Sequence, residues 1–164
     1  MTTGKQVFST ISKNGQLELS IVDIETPTPG ADDVVVRIEA APINPSDMGP
    51  LFGPASMDQA SMDGTGDGAK LVAPVPENRM GMVAARLGQT LPVGNECAGT
   101  VVATGDSPAA QALDGKLVSI MPGAAYAQFA CVPAATCLVH NDTTSPQRAA
   151  SSFVNPLTAL CFLE

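Results

Sequence analysis

The sequence predicts a mostly β domain of the α+β class, with a closed or nearly closed barrel-like sheet and short helices. Fifteen glycines and 14 prolines among 164 residues, with few aromatics and no tryptophan, favour many turns and short strands over long helices. Short β-branched or alternating runs recur along the chain, bounded by turn-forming residues. An apolar fraction of 45% against 15% charged residues is ordinary for a globular protein with a real core, which argues against disorder throughout.

Taken in order, residues 6–9 and 17–21 read as paired strands around Lys13-Asn14-Gly15, a strong hairpin signal, and predict an edge hairpin. Residues 25–33, with Pro27, Pro29 and Gly30, read as a surface connection. Residues 34–40 form the central strand, β-branched, with Arg37 and Glu39 on one side. Pro42 and Pro45 remove backbone donors and stop it, so that Asn44 is held at a rigid corner and Ser46 or Asp47 can cap a short helix. Residues 55–69 read as a surface excursion, in which residues 64–68 lack the strand and spacing of a phosphate loop and Asp67 would repel phosphate. Pro76 and Glu77 open a short helix with Met80, Val83 and Leu87 on one face, closed by Gly88. Residues 100–105, 116–121, 126–132 and 136–140 read as further strands, and residues 145–150 as a helical turn.

A formal net charge of −8 opposes binding to nucleic acid or to an anionic membrane surface. No signal-peptide core and no apolar run of membrane-spanning length is present, so the sequence predicts a cytoplasmic protein. Cys97, Cys131, Cys137 and Cys161 form no C-x-x-C pair and read as small buried hydrophobes. His140 stands alone and reads as a strand-end residue rather than a metal ligand.

Four motifs, "AAPINPSD", "PVGNECAGTVVATG", "GAAYAQFACVPA" and "FVNPLTAL", occur in this order. Together they resemble the N-terminal, GroES-like catalytic domain of the medium-chain dehydrogenase/reductase superfamily, most closely its zinc-free quinone oxidoreductase and enoyl reductase branch. The resemblance implies a GroES-like, partly open β-barrel over residues 1–154, with an insertion at about 54–90. It also implies that residues 155–164 begin a linking helix to a dinucleotide-binding domain absent from the chain. Zinc-containing members carry a cysteine at the corner that follows the central strand and a Gly-His-Glu before the strand that here begins at residue 100. Here those places read Asn44-Pro45-Ser46-Asp47 and Gly94-Asn95-Glu96, and no metal site is expected.

The resemblance implies NADPH as cofactor, carrying hydride to an acceptor that is already electrophilic, a quinone or an enone. It places Asn44 near nicotinamide and acceptor, as a catalytic and cofactor-binding candidate; an Asn before Pro is also an ordinary turn residue. Thr158 lies where its hydroxyl could bond the nicotinamide amide, or could bond its own helix backbone. Relatives often place a tyrosine just beyond the turn; here the region has Met48, Leu51 and Phe52, which donate no proton. Tyr126, the only tyrosine, is the remaining catalytic candidate, on a strand the family keeps for structure. Glu96 reads as a buried structural acid or, less simply, a general base.

Asn155-Pro156 reads as a cap and first-turn pair opening a helix over 157–164 that is apolar on nearly every side and so must be buried. It ends after about two turns without a stop signal, which predicts a chain cut inside an element whose partners lie downstream, folded but inactive as a fragment. The rival expectation is a stand-alone binding or assembly module that docks, or forms a homo-oligomer, through apolar residues 157–163.

Overall fold

A computed structural model describes residues 3–163, without the side chain of Asp67. The expectations placed on Asp67, on the N-terminal Met1 and Thr2, and on Glu164 at the end of the last helix therefore lie outside the described residues. Among the described residues, ten strands divide into two five-stranded antiparallel sheets. The first has the order β4 (Ser61–Asp63), β5 (Lys70–Pro74), β2 (Gln16–Glu25), β1 (Thr3–Ile11) and β6 (Thr90–Pro92). The second has the order β10 (Leu138–Val139), β8 (Leu117–Ile120), β7 (Cys97–Thr104), β3 (Asp33–Ala40) and β9 (Phe129–Pro133).

The mostly β, partly open architecture is as the sequence predicts, but the sheet does not close. The two sheets are stitched where residues 126–128 pass between β1 and β3. The Val7 N–H donates to the Tyr126 carbonyl at 2.8 Å, and the Ile38 N–H donates to the Gln128 carbonyl at 2.9 Å. Each sheet buries its own core. Val34, Val36, Cys97, Val101, Val118 and Ile120 fill the second, while Ile11, Leu17, Ala73, Val75 and Val83 fill the first.

Three local expectations are corrected. The β1–β2 hairpin lies inside its sheet, because β5 covers β2 and β6 covers β1. The stretch read as an excursion supplies β4, whose weak apolar signal hides a strand that pairs through its backbone with β5. Residues Glu77–Arg86 form successive 3-10 turns rather than an α-helix. Met80 and Val83 still pack on the first core, since a spacing of three serves either helix.

Among the described residues there are four short α-helices: α1 (Met48–Phe52), α2 (Pro108–Gln111), α3 (Pro146–Ala149) and α4 (Val154–Cys161). Helix α4 begins one residue before Asn155, which therefore is not its cap. Its apolar residues find no cover among the described residues: Leu157 and Leu160 are half exposed, and Phe162 is 85% exposed. Among the described residues no helix is long and apolar enough to cross a membrane.

Register irregularities in the β3–β7 pairing, between Val35 and Val36 and between Ile38 and Ala40, bend these strands where they deliver the candidate site. Gly99 makes the second possible. A Cβ there would sit 1.9 Å from the Arg37 carbonyl oxygen, so only glycine lets the two backbones approach this closely.

Candidate functional site

Strand β3 ends at Ala40, and the two prolines turn the chain into a 3-10 turn at Pro45–Asp47 followed directly by α1. Pro45 and Ser46 are exposed, but the two polar residues that bracket them are buried: Asn44 is 2% exposed and Asp47 1%. A buried carboxylate must find hydrogen-bond donors, and Asp47 finds two in the backbone. Its Oδ2 accepts from the Asn44 N–H at 2.8 Å and its Oδ1 from the Asn95 N–H at 2.9 Å. The corner is thereby tied to the segment that enters β7. The Asn95 side chain adds a bond from its Nδ2 to Ser46 Oγ at 2.9 Å.

Glu96, fully buried, forms the second half of the site. Its Oε1 accepts from Asn44 Nδ2 at 3.0 Å. Its Oε2 accepts the backbone N–H groups of Phe153 and Val154, at 2.8 and 3.2 Å. These are donors at the start of α4, where the helix leaves N–H groups without an internal partner and where negative charge is favoured. A residue remote in sequence thus caps α4. Asn155 donates from its Nδ2 to Asn44 Oδ1 at 3.2 Å, so the corner, the entry to β7 and α4 meet in one hydrogen-bonded cluster.

Of the residues the sequence singles out, Asn44 lies at the centre of this cluster with both ends of its amide engaged. Thr158 is exposed and donates its hydroxyl proton to the Val154 carbonyl at 2.7 Å, within its own helix. Tyr126 supports the corner from the other side, its hydroxyl donating to the Pro42 carbonyl at 3.0 Å. Burial first, and the neighbouring Asp47 carboxylate next, push its phenol above the usual range. Tyr126 also abuts Gly94, whose φ of +99° and closeness to the Tyr126 backbone leave no room for a Cβ.

Asp47 and Asn155 are the site members that sequence reasoning assigned only to capping. Their signal was present, as polar residues in two of the motifs, but nothing in the order of residues pairs them. His140 donates to or accepts from Ser119 Oγ at 2.6 Å, away from this cluster. Burial pushes the Cys97 thiol up to about 12, with the Glu96 carboxylate adding to the shift, so Cys97 remains a neutral core thiol. No group of three His, Cys, Asp or Glu side chains among the described residues is placed to hold a metal ion.

Two open concavities flank the cluster. One, about 340 Å³, runs along the seam of the sheets beside Ala41, Ala125 and Tyr126. The other, about 610 Å³ and mostly apolar, lies against Phe153 and Leu157 at the start of α4.

No protein-family model and no curated protein matches the chain. Solved structures do. A structure described as an NADPH:quinone reductase, from Mesorhizobium loti, is 28% identical with a TM-score of 0.63, over 99% of this chain and 44% of its own. A mycobacterial protein solved with NADPH is 21% identical with a TM-score of 0.64, over 98% of this chain and 40% of its own. The enoyl reductase CurK is 19% identical with a TM-score of 0.61, over 95% of this chain and 41% of its own. The chain therefore spans less than half the length of these proteins. Its fold is that of the quinone reductases and enoyl reductases of the medium-chain dehydrogenase/reductase superfamily, an oxidoreductase fold.

Proposed function

We propose that this chain, built like part of the quinone-reductase-type proteins, is the acceptor-binding catalytic domain of a zinc-independent, NAD(P)H-dependent oxidoreductase. Its acceptors are quinones or α,β-unsaturated carbonyls. The observation that carries this reading is the likeness over 99% of the chain, at 28% identity, to a structure described as an NADPH:quinone reductase. The geometry supports it at one place: the Asn44 corner and α4 meet beside open apolar surface.

The residues present suit the nicotinamide end of the cofactor. Thr158 spends its hydroxyl proton on Val154 and keeps lone pairs that can accept from a carboxamide N–H. The phosphate end is not served: the chain carries a net charge of −8 and no glycine fingerprint. That end belongs, in this reading, to a dinucleotide-binding domain beyond these residues, with residues 155–164 as the start of the link. NADPH is the proposed cofactor. When bound, a reduced nicotinamide supplies hydride to an electrophilic carbon.

The chain's own contribution is positioning and exclusion of water. Asp47 and Glu96 tie the corner to the entry of β7 and to α4, and apolar surface beside Phe153 and Leu157 forms one wall of the reacting face. Both carboxylates are committed to N–H donors, and position 95 is asparagine, a donor set that suits no zinc ion. Tyr126 keeps its proton on the Pro42 carbonyl and acts as a support, so the acceptor takes its proton from solvent.

The test is NADPH oxidation by the native-length protein with a panel of quinones and enones, in buffer with and without a zinc chelator. Chelator-insensitive reduction of one acceptor class is expected; no turnover with either class would sink the reading. Robust turnover by residues 1–164 alone would remove the need for a second domain.

The exposure of Leu157, Leu160, Phe162 and Leu163 favours one second reading, an assembly module that associates through this end. It requires an oligomer that deletion of residues 155–164 abolishes, with no dependence on a cofactor.

A further inference from the structure

We propose that Glu96 is a positioning residue: it sets the direction of a hydrogen-bond relay through Asn44 to Asn155, and so presents the Asn155 amide oxygen as an acceptor at the start of α4. The direction follows from donor and acceptor chemistry. A carboxylate has lone pairs and no hydrogen, so the Asn44 atom 3.0 Å from Glu96 Oε1 is the amide nitrogen. Asn44 must then turn its oxygen toward Asn155, and Asn155 must answer with its own nitrogen, at 3.2 Å. Asn155 is exposed, and its Oδ1 accepts from no group among the described residues. A buried acid 59 residues away thus decides whether the visible end of the relay accepts or donates.

Glutamine at position 96 would reverse it. Two backbone N–H groups, from Phe153 and Val154, converge on Oε2, so the single oxygen of Gln would remain there and α4 would stay capped. Its NH₂ would then face Asn44, whose amide would turn over to offer oxygen. Asn155 would follow, drawing its oxygen inward and turning its NH₂ to solvent. The exposed end would change from acceptor to donor. The group suited to the native end is a primary carboxamide that donates an N–H, with Thr158, three residues along the same helix, as a second acceptor. Identifying that carboxamide with nicotinamide rests on the function proposed above.

Side-chain NH₂ signals of the ¹⁵N-labelled chain test the relay without cofactor or turnover. In the native protein the Asn155 NH₂ is tied to Asn44. In Glu96→Gln it should exchange with water about fivefold faster, the factor expected for one net hydrogen bond. Equal exchange in the two proteins would overturn the proposal. Asn155→Asp, at an exposed position, covers the case in which Glu96→Gln fails to fold. The reference is Asn155→Asp in an Asn44→Ala background, which keeps the favourable charge at the start of α4. Against it, an Asn44 that offers oxygen repels the acceptor at 155 and the first-turn amides of α4 exchange faster; slower exchange would mean that Asn44 offers its NH₂, and would overturn the relay.

Free nicotinamide and nicotinic acid are then titrated. Nicotinamide should shift the Asn155 and Thr158 resonances of the native chain more than nicotinic acid does, and Glu96→Gln should reverse that order. The same order in both proteins would overturn the proposed presentation. Reversed exchange with no shift from either compound would leave the relay standing and overturn the nicotinamide assignment.

Discussion

Replacing Asp47 by alanine removes the carboxylate that ties the backbone of the Asn44 corner to the backbone at the entry of β7. Asp47 is 1% exposed, and each carboxylate oxygen accepts a backbone N–H from a different segment, at 2.8 and 2.9 Å. Water cannot replace these bonds without opening the corner. Leaving a buried donor unsatisfied costs about 1–3 kcal/mol, so losing both costs about 2–6 kcal/mol. With an m-value of about 2 kcal/mol/M in urea, the unfolding midpoint of Asp47→Ala falls by about 1–3 M. Asparagine is the sharper probe. It preserves volume but offers one acceptor oxygen and sets an NH₂ against the other N–H, so it should lose at least half as much as alanine. Urea unfolding followed by far-ultraviolet circular dichroism measures both, with an unchanged m-value as the check that only stability moved. An Asp47→Asn midpoint within about 0.2 M of the native one would refute the argument that both oxygens are needed.

Other consequences can be checked as directly. Gly99→Ala places a methyl group 1.9 Å from the Arg37 carbonyl oxygen, so the variant should fail to form the β3–β7 pairing and remain in inclusion bodies or unfold at low denaturant. Tyr126, the only tyrosine, should titrate above the ordinary phenol range in the folded chain and return to about 10 in urea, read by absorbance at 295 nm. Its folded value is raised and its ionised form is the charged one. Its contribution is therefore fully present below the unfolded value of about 10 and is lost as pH rises from there through the folded value. Tyr126→Phe should flatten that loss; an unchanged alkaline profile would show that another group causes it. Alkylation at pH 8 should label exposed Cys161 quickly and Cys97, pushed up to about 12 in the core, only on unfolding; peptide mass mapping reports the order. Leu17→Ala, emptying a fully buried position in the first core, should cost about 2–5 kcal/mol.

Strands with strong local patterns were legible because their information is local. The β-branched run of β3, the alternation of β2 and the Asn-Gly turn each identify a strand or hairpin from a few adjacent residues. Strand β4 and the 3-10 run after Pro76 were not, since backbone pairing and core contacts, rather than propensity, decide them. Helix α2 carries its signal in two adjacent residues: Ser107 before Pro108 is a cap followed by a first-turn proline, and Ser107 Oγ accepts the Ala110 N–H at 3.2 Å.

The sequence by itself determined the mostly β class, the stop of β3 at two prolines, and Asn44 as a residue held at a corner. Those follow from the chain's covalent restrictions and short-range periodicity. Only the tertiary structure decided that Asn155 serves Asn44 instead of capping its own helix, and that Glu96 caps α4. The partners are 111 and 57–58 residues apart along the chain, and no local preference encodes such pairs. Burial does: once the corner loses water, each carboxylate and amide must find its counterpart wherever the two sheets and α4 bring one within about 3 Å.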